Sequence, residues 1–355
     1  FHRILVINPG STSTKVGVYI NEQPLCVSTI RHTVEELMQY EQIIDQHDFR
    51  QQLVIDWLKA NDIPFEFDAI IGRGGLIKPI PGGVYRVNRK MVYETYYALR
   101  KHACNLGCII AYELAKQQQN GCKAYIADPV TVDELLPEAR VSGSPLMPRL
   151  AIWHALNQRA IARRYASEIG SQYEDLNLII CHLGGGISIA AHQKGRAVDA
   201  NNALDGEGPL SPERAGTLPA ADLIHLCYSG RYTEDQLKKR VAGQAGLMAH
   251  LGTTDILQIM QQVEAGDAHA KLLIDAMIFH TAKAIAAEGA VFSGQVDAIL
   301  ITGGMAHSKY ITQGIASRVK FIAPVHLFPG EDEMEALALN ALSVLRGECV
   351  AKEYE

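Results

Sequence analysis

The stretch Ile4-Leu-Val-Ile-Asn-Pro-Gly-Ser-Thr-Ser-Thr-Lys-Val-Gly-Val-Tyr19 decides the fold. It runs apolar, then small and polar, then alternating, which predicts a strand, a tight turn and a second strand. The same pattern returns at Leu178-Ile-Ile-Cys-His-Leu-Gly-Gly-Gly-Ile-Ser-Ile-Ala-Ala191. Ile4 aligns with Leu178, Gly10 with Gly184 and Ser11 with Gly185, at one constant offset. Two related hairpins, each opening half of the chain, predict a duplicated domain with a cleft between the halves.

Working outward, a β-rich stretch follows at 24–31. Helical spacing covers 34–60, 86–97, 105–118, 150–169 and 333–345. Short apolar runs at 69–71, 124–127 and 298–302 read as buried strands, the last ending in a glycine turn. Strands and helices alternate throughout, so the class is α/β.

The chain has 355 residues and a net charge of -6, without a Lys/Arg block, which argues against a nucleic-acid partner. No apolar run reaches the ~18 residues of a membrane span. The first apolar run is cut short by Asn8 and Gly10, so it is expected to be a strand and not a signal peptide. Seven cysteines (Cys26, Cys104, Cys108, Cys122, Cys181, Cys227 and Cys349) lack CxxC spacing and read as reduced, buried thiols of a cytoplasmic protein. Cys104 and Cys108 lie one helical turn apart, the spacing of half a metal site, but no matching pair accompanies them.

Three small-residue turns follow apolar strands: 8–13, Gly184 to Gly186, and Gly303-Gly304. Glycine lets the backbone approach a ligand and present N–H groups to it; Ser and Thr add donors for phosphate. Neither GxxxxGK[ST] nor GxGxxG occurs at these turns, so the P-loop and dinucleotide fingerprints are absent. Two hairpin turns facing each other across a cleft would hold the two ends of a triphosphate.

The chain resembles the acetate kinase/butyrate kinase family, within the actin, heat-shock chaperone and sugar-kinase superfamily. The motifs that carry this are Val6-Ile-Asn-Pro-Gly-Ser-Thr-Ser-Thr-Lys15, Cys181-His-Leu-Gly-Gly-Gly-Ile-Ser188, Ile301-Thr-Gly-Gly-Met305 and Pro329-Gly-Glu-Asp-Glu-Met-Glu-Ala-Leu-Ala338. Gly72-Arg-Gly-Gly-Leu76 and Pro79-Ile-Pro-Gly-Gly83 are similar to the butyrate kinase branch.

The resemblance implies two duplicated RNase-H-like (actin-like ATPase) domains around an active-site cleft. They are expected at 1–150, joined by the C-terminal helix at about 336–355, and at 151–335, the latter binding the nucleotide. By the same resemblance Asn8 and Glu333 help hold Mg²⁺. Ser11, Ser13 and Lys15 form the first phosphate hairpin. His182, Gly184, Gly185 and Gly186 form the second, with Gly185 where the acetate kinase pattern carries Asn. Gly303, Gly304 and Met305 match the adenosine turn of ATP/ADP, and Asp255 an acidic position near it. Arg73 and Arg214 match the family's active-site arginines, His154 a histidine at the transferring group, and Asp128 an aspartate that orients Arg or substrate. His102 is a weaker match. The acid would sit near Arg73, Arg214 and Pro209.

The implied reaction is phosphorylation of a short-chain fatty acid, butyrate, by a cytoplasmic homodimer or assembly of dimers. A kinase for isobutyrate, propionate or acetate is the near alternative. A sugar kinase of the same superfamily would need a base for a hydroxyl, whereas this chain offers arginines. A nucleotide-switch protein would leave those arginines unexplained.

Overall fold

The computed structural model describes residues 1–355. They form two compact units, residues 1–132 with 332–355, and residues 133–331. Residues 133–149, expected with the first unit, go with the second because their polar groups are satisfied there. Leu136 N donates to Val198 O, and Arg149 pairs with Asp199 at 3.0 Å and Glu207 at 2.7 Å.

In the first unit, strands β1 (Arg3–Pro9), β2 (Ser13–Ile20) and β3 (Gln23–Arg31) form an antiparallel meander. β4 (Ala69–Gly72) then runs parallel to β1, and β6 (Lys123–Ala127) parallel to β4. β5 (Val84–Arg86) extends the sheet beyond β6.

The second unit repeats this order. β7 (Asn177–Leu183), β8 (Ile187–Gln193) and β9 (Arg196–Ala200) are antiparallel; β10 (Ala298–Gly303) is parallel to β7 and β11 (Val325–Pro329) to β10. A two-residue β12 (Lys352–Glu353) closes the edge of the first sheet beside β5. The two sheets therefore read β12-β5-β6-β4-β1-β2-β3 and β11-β10-β7-β8-β9, and share the order β6-β4-β1-β2-β3 in the first.

The register sharpens the repeat. Pro9 pairs with Thr14, but Leu183 pairs with Ile187, so the second hairpin is one residue shorter at its turn. The offset is therefore constant only up to the turn. Beyond it the two hairpins stay matched: each meander has its irregularity at the corresponding place, Val18/Tyr19 and Ala191/His192.

Alternation along the strands sets the faces. Leu5 and Ile7 join the core with Leu106, Ile110 and Leu114 of helix Asn105–Lys116. Ile4, Val6 and Asn8 therefore point to the opposite face, where Asn8 meets Glu333 of helix Glu333–Leu345. In the second unit Ile179, Cys181 and Leu183 pack with helices Ala268–Glu288 and Lys309–Val319. Leu178 and Ile180 pack with Ile161 and Tyr165 of helix Ala155–Glu168, and His182 continues that face.

Several expected helices are shorter. The 34–60 stretch forms three pieces, Val34–Leu37, Ile43–Gln46 and His47–Ala60, the first two opened by the capping boxes Thr33/Glu36 and Gln42/Asp45. Arg86 belongs to β5, and Asn88 caps the following helix by accepting from Met91 N. The helix expected from 150 begins at Ala155, because Ile152 pairs with Asn202 in an isolated bridge. Of the seven cysteines, Cys227 and Cys349 are exposed and Cys26 is half-buried, contrary to the uniformly buried reading. No helix is long and apolar enough to cross a membrane.

Glu288, at the end of helix Ala268–Glu288, has an Oε2 shut off from water without a hydrogen-bond partner. Burial, with Asp199 adding to it, pushes its carboxyl up to about 8. The folded group stays protonated while the unfolded one ionises near its ordinary value, so stability falls as pH rises from about 4.5 to 8. Glu288→Gln is expected to raise the melting temperature at pH 8 by about 5 °C or more and by much less at pH 5. Thermal unfolding at both pH values checks this.

Candidate active site

In each unit the singled-out residues collect at the carboxyl ends of parallel strands, where open α/β sheets bind ligands. In the first unit Asn8 lies near the end of β1, Arg73 follows β4 and Asp128 follows β6. In the second, His182 and the Gly184–Gly186 turn end β7, Gly303 ends β10, and Gly330 and Glu331 follow β11.

Glu333 organises the first cluster. One carboxylate oxygen accepts from Asn8 Nδ2 at 2.7 Å and the other faces Arg73 Nη1 at 3.0 Å. Arg73 is placed by its backbone N–H donating to Ile7 O. Gly72 allows this strand end to touch helix Asn105–Lys116: a Cβ there would lie 2.5 Å from the Gly107 carbonyl carbon. Asp128 is fully buried with φ 40°, and its Oδ1 accepts from Gly83 N at 2.7 Å.

The first hairpin turn closes through Gly10 N donating to Ser13 O at 2.7 Å. Ser11 and Lys15 are exposed, and Lys15 stands directly opposite Asn8 in the β1–β2 register. Beneath the turn lies a residue that no local pattern pointed to, Arg50. It is fully buried and donates to Gly10 O at 2.6 Å, Ser13 O at 3.0 Å and Ser11 O at 3.2 Å, while Gln46 accepts from its other edge. These partners are neutral. Burial lowers the guanidinium to about 10, so it stays charged at neutral pH.

In the second unit the Gly184–Gly186 turn carries Arg214. A Cβ on Gly186 would lie 2.6 Å from Arg214 Cζ and 3.0 Å from its Cδ, so the missing side chain makes room for the guanidinium. Arg214 Nη1 donates to Ala203 O at 3.0 Å, and burial lowers its pKa. Ser211 Oγ donates to Gly185 O at 2.8 Å and accepts from Arg214 N at 3.2 Å, tying turn and arginine together. At Gly185 a Cβ would come 3.1 Å from Glu213 Oε1, so Glu213 fills the side-chain space there. Gly186→Ala is expected to displace the guanidinium and lower kcat tenfold or more, as measured by steady-state kinetics on a variant that still folds.

His154 and His182 stack in parallel, centroids 3.8 Å apart and planes 8° apart. His182 Nε2 faces Glu331 at 3.2 Å and its Nδ1 faces Asn157 Nδ2 at 2.9 Å. His154 Nδ1 lies 2.8 Å from Ser188 Oγ. Gly303 has φ 94°, and a Cβ there would lie 2.7 Å from the Leu183 carbonyl carbon, so β10 ends hard against the second hairpin.

Two singled-out side chains sit elsewhere. Met305 is in the 3-10 turn Gly304–His307 with its side chain in the core beside Cys181 and Leu183, leaving only backbone for a ligand. Asp255 is exposed and caps helix Ile256–Glu264 by accepting from Gln258 N at 3.1 Å. His102 Nδ1 accepts from Cys104 N at 3.1 Å, just before helix Asn105–Lys116. Burial pushes the Cys104 and Cys108 thiols up to about 11 and about 12, so both stay protonated and are poor metal ligands.

Sequence reading named Ser188 and Glu331 only within longer motifs, and missed Arg50, Asn157, Gln158, Ser211 and Glu213. Their contacts span too much sequence for a local pattern to register.

Comparison with known proteins gives the following. The model of the acetokinase family matches residues 151–323. A probable butyrate kinase of Bacteroides thetaiotaomicron is 63% identical over 353 residues, 99% of this chain and 100% of the relative. A probable butyrate kinase of Phocaeicola vulgatus is 50% identical over 352 residues, 99% of each. Among solved structures, Porphyromonas gingivalis acetate kinase superposes with a TM-score of 0.78 at 16% identity, covering 97% of this chain and 100% of the other. A propionate kinase from Francisella tularensis gives 0.77 at 17%, covering 96% and 99%. At such identities the structural likeness speaks for the fold.

Proposed function

Because the chain belongs to the acetokinase family, we propose that it phosphorylates a short-chain fatty acid, butyrate, with ATP. A carboxylate oxygen forms a bond to the γ-phosphorus as the bond to the β,γ-bridging oxygen breaks. The products are an acyl phosphate and ADP, and the step is reversible. No proton has to be removed, because the acid is already ionised near pH 7.

The observation that carries this reading is Arg214 held against the Gly184–Gly186 turn by the missing Cβ of Gly186. A guanidinium beside a glycine turn suits phosphate and carboxylate alike, and phosphoryl transfer draws most of its catalysis from such positioning and charge. A sugar kinase must deprotonate a hydroxyl; the half-buried Arg214 at that turn suits an acceptor that is already an anion.

The roles divide by unit. In the second, Gly184–Gly186 and His182 bind phosphate, and Gly303, Gly304 and the Met305 backbone take the adenosine. Asp255, engaged as a helix cap, is at most peripheral to it. Arg214 neutralises charge at the reacting centre and His154 donates a hydrogen bond to the transferring group. In the first, Ser11, Ser13 and Lys15 form the other phosphate turn, with Arg50 charged beneath it. Arg73 faces the acid, and Asp128 fixes the loop at Gly83.

Asn8 and Glu333 are the candidates for Mg²⁺. One carboxylate and one amide oxygen, with lone pairs left over after the contacts to Asn8 and Arg73, fit an ion that keeps several waters. When bound, the ion would neutralise phosphate charge. The free cysteines agree with a cytoplasmic location. Helix Ala220–Cys227 is apolar yet has no buried residue, which supports a homodimer or an assembly of dimers.

The test is trapping of the product with hydroxylamine, across acetate, propionate, butyrate, isobutyrate and valerate. Greatest kcat/KM with butyrate is expected. One methylene is worth about 1–3 kcal/mol, so neighbouring acids should react more slowly but measurably. A maximum at another acid would move the preference and keep the chemistry; no hydroxamate with any acid would remove the reading.

A further inference from the structure

Behind His154 runs a chain of buried polar side chains in the second unit whose hydrogen-bond directions are fixed at two points. Gln158 Nε2 lies 3.1 Å from the Ser188 carbonyl. A carbonyl only accepts, so the amide nitrogen faces it and Gln158 Oε1 faces His192 Nε2, at 2.9 Å. An amide oxygen only accepts as well, so His192 Nε2 donates. Its Nδ1 must then accept from the Tyr173 hydroxyl, at 2.6 Å.

The second fixed point is the Ser188 hydroxyl. It accepts from Gln158 Nε2 at 3.0 Å and from the backbone N–H of His154 at 3.2 Å. Both lone pairs are then used, and the hydroxyl proton is left for His154 Nδ1 at 2.8 Å. His154 Nδ1 is therefore an acceptor, and the neutral ring carries its proton on Nε2. Ser188, Gln158 and His192 are fully buried and Tyr173 is 2% exposed, so water does not offer an alternative partner. Burial also drives His192 down to about 3, keeping it neutral across the working range.

The neighbouring ring obeys the same logic. Thr302 Oγ1 donates to Gly330 O, so it accepts from Asn157 Nδ2; that amide nitrogen also donates to His182 Nδ1, and His182 Nε2–H points to Glu331.

We propose that Tyr173, His192, Gln158 and Ser188 are positioning residues that fix His154 as the Nε2–H tautomer, offering the phosphoryl oxygens a hydrogen-bond donor in place of a lone pair. The role rests on the reading of His154 as a contact of the transferring group. Without the chain the neutral ring would divide between two tautomers, and one of them would turn a lone pair on anionic oxygens.

Nitrogen-15 spectra of the histidine-labelled full chain test this, with His154→Gln used to assign the signal. Wild type should show His154 protonated on Nε2 alone; Nδ1–H there overturns the proposal by itself. In Ser188→Ala the signal should become a mixture, kcat should fall about tenfold or more, and KM for ATP and acid should stay within about threefold. Tyr173→Phe, which keeps the ring, should show the same direction with a smaller effect. Loss of stability or activity with the tautomer unchanged would mean a merely structural network and would reject the proposal. Failure of the kinase reading is seen separately, as no acyl phosphate from the wild type, and the spectra then still decide the tautomer.

Discussion

Arg214→Ala is expected to lower kcat by about a thousandfold or more while the chain stays folded. Charge-neutralising arginines contribute roughly 10³ to 10⁵ in phosphoryl transfer, and here the acceptor is itself an anion. The side chain touches the Gly186 position, the Ala203 carbonyl and, at 4.0 Å, Glu213. Alanine removes one hydrogen bond to a carbonyl, which costs about 1–3 kcal/mol. Circular dichroism and thermal unfolding should therefore look near normal while turnover collapses. Near-normal turnover would take Arg214 out of the mechanism. Arg214→Lys should recover only part of the rate, because a point charge cannot reproduce the planar fork.

Arg50→Met is the second large effect, and it appears in stability as well as in rate. The guanidinium supplies donors to the carbonyls of Gly10, Ser11 and Ser13 from a fully buried position. A methionine of similar length fills the space but takes the donor from the Gly10 and Ser11 carbonyls and from Gln46 Oε1, while Ser13 O keeps its bond from Gly10 N. Each unsatisfied buried group costs about 1–3 kcal/mol, so a total loss near 4 kcal/mol is expected in urea unfolding. The charge matters separately. No carboxylate compensates it, so its field reaches the turn above and favours an anion there. KM for ATP should rise tenfold or more in the variant at a temperature where it is still folded. Arg50→Lys should keep part of the ATP affinity and lose stability, since one ammonium cannot serve both Gln46 and the turn. An unchanged KM in both variants would confine Arg50 to a structural role.

The two hairpins were legible because each packs its signal into about fifteen residues: an apolar run, a small-residue turn, then alternation. The common strand order of the two sheets follows from that repeat. Elements held by distant contacts were not legible. β12 is two exposed residues, Lys352 and Glu353, that become a strand only because Tyr85 and Arg86 offer an edge. The pieces of 34–60 were read as one helix because apolar spacing persists across the break, whereas separate capping boxes open the first two. In the site, motif resemblance named Asn8, Arg73 and Glu333, which the first unit does bring together. It named Met305 only as part of a turn; that its apolar side chain goes to the core is a tertiary fact. Arg50 carried no signal, since an arginine in a helix is usually a solvated side chain. Only the tertiary fold turns it under the hairpin. The direction of the Tyr173–Ser188 chain likewise depends on a carbonyl and a backbone N–H that sequence cannot orient.

The central claim is that the phosphoryl group passes from ATP to a carboxylate oxygen. Phosphorus-31 NMR of the purified chain with ATP, Mg²⁺ and butyrate tests it most directly. An acyl phosphate resonance should grow in step with ADP, with no comparable inorganic phosphate, and that resonance should be lost in Arg214→Ala. ADP formed with inorganic phosphate alone, or only in proportion to an added sugar, would contradict it.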